Sequence, residues 1–210
     1  MSNYKKRFYR SKLRETGAAE TKKRILAAAK KKFLKKGIDK VTIDEIAGVA
    51  GVSTPTVFAL FKSKKGILRE LMNEMKFGDR YEKLVQKALS AENPIERLRM
   101  AASIARSIYD TEKSEMGLIR AASGFSPELR TLEQEGEKMR FERQEGTIKL
   151  LSEKKLLAPG LNVRRARDIL WALTGREIYR MLVMEHGWSS DEYEKWLANE
   201  IVKALTTCIT

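Results

Sequence analysis

Residues 53–65 read STPTVFALFKSKK and gather groups that can hold a phosphate or touch the edge of a base. Ser53, Thr54 and Thr56 bring hydroxyls. Pro55, Phe58 and Ala59 bring apolar surface, and Lys62, Lys64 and Lys65 bring charge. Ser63 can cap a helix that starts at Lys64, which places Lys64 and Lys65 in its first turn. There the helix dipole disfavours a cation by about 0.3–1 kcal/mol, and free backbone N–H groups point outward. An anion reconciles both, since amides and lysines can bind one phosphate together. The plainer alternative is an exposed lysine pair.

The elements that must position these groups are short helices with explicit starts and stops. From Thr21, the residues Ile25, Ala28, Ala29, Phe33 and Leu34 repeat at helical spacing, and Gly37 stops the helix. Thr42-Ile43-Asp44-Glu45 is a capping-box pattern. It opens a short helix through Ile46, Ala47 and Ala50, with Gly51 in the position that favours a left-handed residue. Ser53 caps the next helix, and Pro55 stands in its first turn, where a missing N–H costs nothing. Three helices with a glycine turn between the second and third form a helix-turn-helix arrangement. In the helix at 53–61, the spacing predicts that Val57, Leu60 and Phe61 pack inward. Thr54, Pro55, Thr56, Phe58 and Ala59 are left facing a major groove, with Thr42 and Lys62 at its borders. No Arg, Asn or Gln stands on that face for bidentate base readout. Thymine methyls, DNA shape and the basic arm are expected to carry more of the specificity.

Charge supports a polyanionic partner. The net charge is +14, and residues 1–70 hold 19 Lys and Arg against 6 Asp and Glu. The remaining residues are nearly balanced, 23 against 22. This is the footprint of an electropositive module joined to a neutral one, although a basic surface also serves solubility. Residues 1–20 read as a basic arm, helical in part. Arg7 and Arg10, with Lys5, Lys6, Lys12 and Arg14, could enter a minor groove or touch phosphates. A solvated tail is the alternative. One cysteine, Cys208, supplies neither a disulfide nor a thiolate metal cluster and fits a reducing cytoplasm. The basic N-terminus has no apolar segment after it, so no signal peptide is expected, and no apolar run is long enough to span a membrane.

After residue 63 the pattern is helical throughout, with expected segments at 64–90, 94–113, 115–122, 127–156, 162–185 and 189–207. The fold class is therefore all-α, a three-helix helix-turn-helix domain followed by a larger helical domain. Residues 169–184 (ILWALTGREIYRMLVM) are apolar on almost all sides, wider than a surface helix needs. Such a helix can serve its own core on one face and a partner on another, or be buried in a monomer. Tyr81, Ile104, Tyr109, Met116, Phe125, Met139 and Trp171 are candidates for a pocket lining, although such residues at helical spacing also build plain core. His186 reads as a capping or packing residue. No nucleophile–base pair, metal spacing or phosphate-cradling glycine loop is present, so no enzyme, metal or cofactor is expected.

Residues 21–70 resemble the DNA-binding domain of the tetracycline-repressor (TetR) family. The matching residues are Thr21, Ile25, Ala28, Phe33, Gly37, Thr42-Ile43, Ile46-Ala47, Ala50-Gly51-Val52-Ser53, Thr56-Val57, Phe61 and Ser63-Lys64. Residues 155–207 are similar to the C-terminal part of one branch, through Pro159-Gly160, DILWALT at 168–174, Glu177, Tyr179 and HGWSSDEYEKWLA at 186–198. The resemblance implies a homodimeric regulator that binds a palindromic operator in double-stranded DNA and answers to a small-molecule effector; the alternative is a basic nucleic-acid-binding architectural protein without small-molecule control. The domains would be an arm at 1–20, the helix-turn-helix at 21–63, and ligand binding and dimerisation at 64–210. The resemblance gives Lys64 a phosphate, while Phe58 replaces a usual tyrosine and cannot make that tyrosine's phosphate hydrogen bond. It implies a four-helix dimer interface from 162–185 and 189–207, to which Leu170, Leu173, Tyr179, Leu182, Trp196, Ile201 and Leu205 are assigned.

Overall fold

The structure, a computed structural model, describes residues 2–113, 115–124 and 126–207; of residues 2–15, 112, 115 and 116 it describes the backbone only. Eleven α-helices are found among them. They are α1 (Ser2–Lys36), α2 (Ile43–Ala50), α3 (Thr54–Phe61), α4 (Lys64–Lys76), α5 (Asp79–Ser90), α6 (Pro94–Tyr109), α7 (Glu115–Ser123), α8 (Pro127–Glu153), α9 (Val163–Leu173), α10 (Arg176–Tyr179) and α11 (Ser190–Leu205). A 3-10 turn, Asp110–Lys113, extends α6, and a π-helical stretch, Arg180–Glu185, extends α10. The all-α class read from the sequence holds.

Two expected helices are broken. The segment expected at 64–90 divides at Phe77-Gly78, where Gly78 caps a new helix whose first turn holds Asp79 and Glu82. Acidic residues there favour a helix start over continuation. The segment expected at 162–185 divides at Thr174-Gly175. The Thr174 hydroxyl donates back to the Leu170 carbonyl at 2.7 Å, a local bond that competes with the helical ladder. At the other end of the chain, α1 begins at Ser2, so the basic arm and the first helix are one element.

The chain forms two compact units. The first comprises Met1–Met72 and Gly117–Arg130. Ile25, Phe33, Ile38, Ile46, Val57 and Ile67 lie in its core, none more than 1% exposed, and Ile119 is equally buried. The helical stop at Gly37 (φ 75°) sends the chain against the end of α7. The Ile38 N–H donates to Ser123 Oγ at 3.2 Å, and Ser123 Oγ donates to the Ile119 carbonyl at 2.6 Å.

The second unit comprises Asn73–Met116 and Thr131–Thr210. Leu98 and Ala102 of α6, Ile148 and Leu151 of α8, Leu170 of α9, Tyr179 of α10, and Tyr193 and Ile201 of α11 form its core. An antiparallel bridge between Leu157 and Thr206 ties the end of α11 to the loop after α8. The expected interface residues divide here. Leu170, Tyr179, Ile201 and Leu205 are at most 1% exposed within one chain, so they are core and not contact surface. Leu173, Leu182 and Trp196 are half-buried against the same core. The exposed large apolar residues of these helices are Trp171, Met181 and Met184.

Candidate nucleic-acid interface

Helix α2 starts as a complete capping box. Thr42 accepts from the Glu45 N–H at 3.2 Å, and the Glu45 carboxylate accepts from the Thr42 N–H at 3.1 Å. The Lys36 ammonium, 2.6 Å from Glu45, and then the Thr42 N–H hold the Glu45 carboxyl below its ordinary range. The same ion pair ties α1 to α2. Gly51 ends α2 in the left-handed region at φ 64°, where a side chain would be strained, and the Val52 N–H returns to the Ala47 carbonyl at 3.1 Å. The axes of α2 and α3 turn by 107°, within the range of a helix-turn-helix pair.

Helix α3 is capped by Ser53, whose Oγ accepts from the Thr56 N–H at 3.3 Å and lies 2.8 Å from Thr56 Oγ1. Val57 and Phe61 are buried, whereas Leu60 is 39% exposed. The expected inward packing of Leu60 is therefore corrected. At about 100° per residue, Phe61 and the half-buried Thr54 lie to one side of Val57 and Leu60 to the other. The buried arc is too narrow to include it. Phe58 is 46% exposed, and Pro55 and Ala59 are exposed as well.

Three polar groups have partners that the sequence did not show. Thr54 Oγ1 donates to Asp44 Oδ1 at 2.6 Å. Lys62, at φ 66°, donates from Nζ to the Ala59 carbonyl at 3.0 Å and so caps its own helix. The Lys64 ammonium stands 3.4 Å from the Asp39 carbonyl and 3.8 Å from Glu128 Oε1. The anion beside Lys64 in this structure is thus a carboxylate from the first turn of α8. Lys65 is half-buried. Arg7 and Arg10 lie on α1 with their side chains outside the described residues.

The pocket candidates do not converge. Tyr109 is core, and its hydroxyl donates to the Thr174 carbonyl at 3.2 Å. The Tyr81 hydroxyl accepts from Arg143 at 3.0 Å, and Ile104 is half-buried. Met139 and Trp171 are 43% and 38% exposed, with Trp171 edge-on to Phe141 at 6.1 Å. Phe125 and the side chain of Met116 lie outside the described residues. A groove open to solvent is lined instead by Trp188, Glu192, Lys195, Trp196 and Asn199.

The interior of the second unit holds polar groups that no sequence motif marks. Arg140 donates to the Trp171 carbonyl at 2.8 Å and to Thr174 Oγ1 at 2.7 Å, closing the broken end of α9. Arg106 joins Asp110 (3.3 Å), Asp191 (2.5 Å) and Glu194 (2.7 Å). Asp110 also accepts from Tyr179 at 2.7 Å and Ser190 at 2.6 Å. Burial, and then the hydrogen bond to Asp110, push the Tyr179 phenol well above its ordinary value.

A steeply crossed, capped helix pair with an exposed α3 face, in a chain with a second all-helical unit, is the architecture of a DNA-binding transcriptional regulator. Residues 25–71 match the family model described as bacterial regulatory proteins, tetR family. Over these residues the chain is similar to the TetR family. It is 23% identical over 194 residues to the HTH-type transcriptional repressor BepR of Brucella suis, covering 90% of this chain and 93% of BepR. An uncharacterized HTH-type transcriptional regulator of Bacillus subtilis, YvkB, is 44% identical over 54 residues, 26% of this chain and 29% of YvkB. Among solved structures, native NalD of Pseudomonas aeruginosa, the secondary repressor of the MexAB-OprM multidrug efflux pump, superposes with a TM-score of 0.71. It is 21% identical, over 91% of this chain and all of NalD. FadR of Bacillus subtilis in complex with stearoyl-CoA gives a TM-score of 0.65 at 22% identity, over 86% of this chain and 97% of FadR. These likenesses fix the fold. No single helix among the described residues is long and apolar enough to cross a membrane.

Proposed function

We propose that this regulator is a repressor that binds a palindromic operator as a homodimer and releases it when a small-molecule effector binds the second unit. The observation that carries the reading is the exposed face of α3, flanked by the capped starts of α2 and α4. Ser53, Thr54, Pro55, Thr56, Phe58 and Ala59 face the major groove. Thr42, Lys64 and Lys65 hold phosphates at its borders, and Arg7 and Arg10 add charge. Lys62 adds charge from the end of α3 while it caps that helix. Lys64 exchanges Glu128 for a phosphate on binding. The repressor names of BepR and NalD support the direction of control.

The test is a selection from random double-stranded DNA with the purified full-length protein. A two-fold site should be enriched, and its binding should weaken steeply with salt, by close to one power of salt per phosphate neutralised. A pool without any enriched two-fold sequence would overturn the reading.

The dimer contact is assigned to the exposed apolar side chains Trp171, Met181 and Met184, with the half-buried Leu173, Leu182, Trp188 and Trp196 beside them. A two-fold contact doubles every change made in it. Met181→Glu places a carboxylate on each side of that contact. It should give monomers by sedimentation and lose the operator, while the far-ultraviolet helix signal of the chain is kept and its melting temperature falls because the association is lost. A variant that remains dimeric would move the contact elsewhere.

A further inference from the structure

We propose that Asp44 is a specificity-determining residue whose carboxylate reads an exocyclic amino group, cytosine N4 or adenine N6, at one base pair of each half-site. The proposal rests on the DNA-binding reading of α2 and α3. Asp44 stands in the first turn of α2 and Thr54 is the first residue of α3, and their bond is 2.6 Å long. Residues at the N-terminal end of the second helix of such a pair are the ones that meet base edges. The bond therefore brings a carboxylate from the neighbouring helix to that end.

The proton inventory then sets what the pair can read. Thr54 has one hydroxyl proton and gives it to Asp44 Oδ1, so Thr54 keeps a methyl and acceptor lone pairs. Among the described residues, Asp44 Oδ2 has no hydrogen-bond partner, and an ionised carboxylate only accepts. The neighbouring hydroxyls of Ser53 and Thr56 bond to one another. No basic side chain lies between Ser53 and Ala59. One hydroxyl proton of Ser53 and Thr56 stays free, but the pair of Asp44 and Thr54 at the start of α3 offers acceptors only. Guanine O6 and N7 and thymine O4 are acceptors too and are repelled at that step, whereas cytosine N4 and adenine N6 donate. A carboxylate beside a phosphate backbone also weakens binding to every unmatched sequence, which sharpens discrimination by rejecting competitors.

The test repeats the random-pool selection with the full-length protein and three variants, Asp44→Ala, Asp44→Asn and Thr54→Val. The parent should select cytosine or adenine at one position per half-site, and the base selected separates the two sources of the amino group. Asp44→Ala should lose about tenfold or more of the discrimination at that position alone and bind random DNA more tightly. Asp44→Asn keeps an acceptor for Thr54 and gains an amide donor, so its preference should move toward guanine or thymine. Thr54→Val keeps the carboxylate and should keep the amino preference at lower stringency. Replacing the selected base by an analogue without the amino group, a purine or 2-pyrimidinone nucleoside, should weaken the parent and leave Asp44→Ala unchanged. Unchanged melting temperatures establish that the variants are folded. If the parent enriches a palindrome and both Asp44 variants return the same profile at every position, Asp44 only orients α3 and the proposal fails. If the parent enriches nothing, the DNA-binding reading fails first.

Discussion

Gly37→Ala should destabilise the first unit by about 3–5 kcal/mol, at the upper end of what single substitutions do. Two costs fall on one position. The backbone at φ 75° lies in the left-handed region, which costs a residue with a Cβ about 1–2 kcal/mol. A Cβ there would also stand 2.3 Å from the Ala122 carbonyl oxygen. That atom is backbone and has no rotamer into which to retreat. Relief requires the end of α7 to move, which breaks the bond from the Ile38 N–H to Ser123 Oγ. Gly51→Ala is the control. Its φ of 64° imposes a similar strain, but its Cβ would meet nothing within 4 Å. Urea unfolding followed on both variants should show Gly37→Ala lower by at least about 2 kcal/mol. Equal losses would mean that the close approach of Gly37 to α7 contributes nothing.

Arg106→Leu should cost about 2–3 kcal/mol at neutral pH, below the range for removing one partner of a fully buried ion pair, because the cluster is partly open to solvent. The Arg106 side chain is 19% exposed and meets Asp110, Asp191 and Glu194. Burial alone would ease its proton off, but the hydrogen bonds it donates to Glu194, Asp191 and Asp110 more than offset this, and its pKa rises. Leucine leaves Asp110 and Glu194 without their shared cation; Arg80 stays 4.0 Å from Asp110, and Asp191 is largely exposed. The pH dependence follows from Asp110. Burial raises its pKa, yet bonds from Ser190, Tyr179 and Arg106 outweigh burial and leave it lowered. A carboxyl with a folded pKa below its unfolded one contributes stability that is fully present above the unfolded value, near pH 4. That stability is lost as the pH falls through the folded value. The parent should therefore lose stability on acidification below about pH 4. The deficit of Arg106→Leu should shrink over the same range, because protonation removes the repulsion that the substitution exposes. A deficit equal at pH 7 and pH 3 would count against the cluster as its cause.

The helix-turn-helix was legible in the sequence because its instructions are local. Thr42 with Glu45, Gly51, and Ser53 with Pro55 each act within four residues, and each takes the expected place. The rest depended on contacts that span the chain. Ser123 serves Ile38 across 85 residues, and no pattern near either residue announces it. In the sequence Leu170, Tyr179, Ile201 and Leu205 look like contact surface, because an apolar stripe shows that a face is covered but not by what. Their own chain covers them. Asp44 passed as part of a capping box, since its bond to Thr54 depends on the angle between two helices. The candidate pocket scattered for the same reason. Tyr109 and Trp171 share a residue class and a helical rhythm, yet one is core and the other lies at the surface.

The first unit is discontinuous in the chain, and this limits how the protein can be cut and rejoined. A fragment ending near Met72 would carry every helix of the DNA-binding motif but not Gly117–Arg130. It would expose Ile38 and leave its N–H without Ser123. Two eight-residue helices hold their shape by packing and not by propensity, so such a fragment would be a poor independent reader of DNA. A chimaera that grafts this DNA-binding module onto another regulator has to import the α7–α8 corner with it. In design terms the portable part is two segments, and the second is the one a sequence alignment of the motif would leave behind.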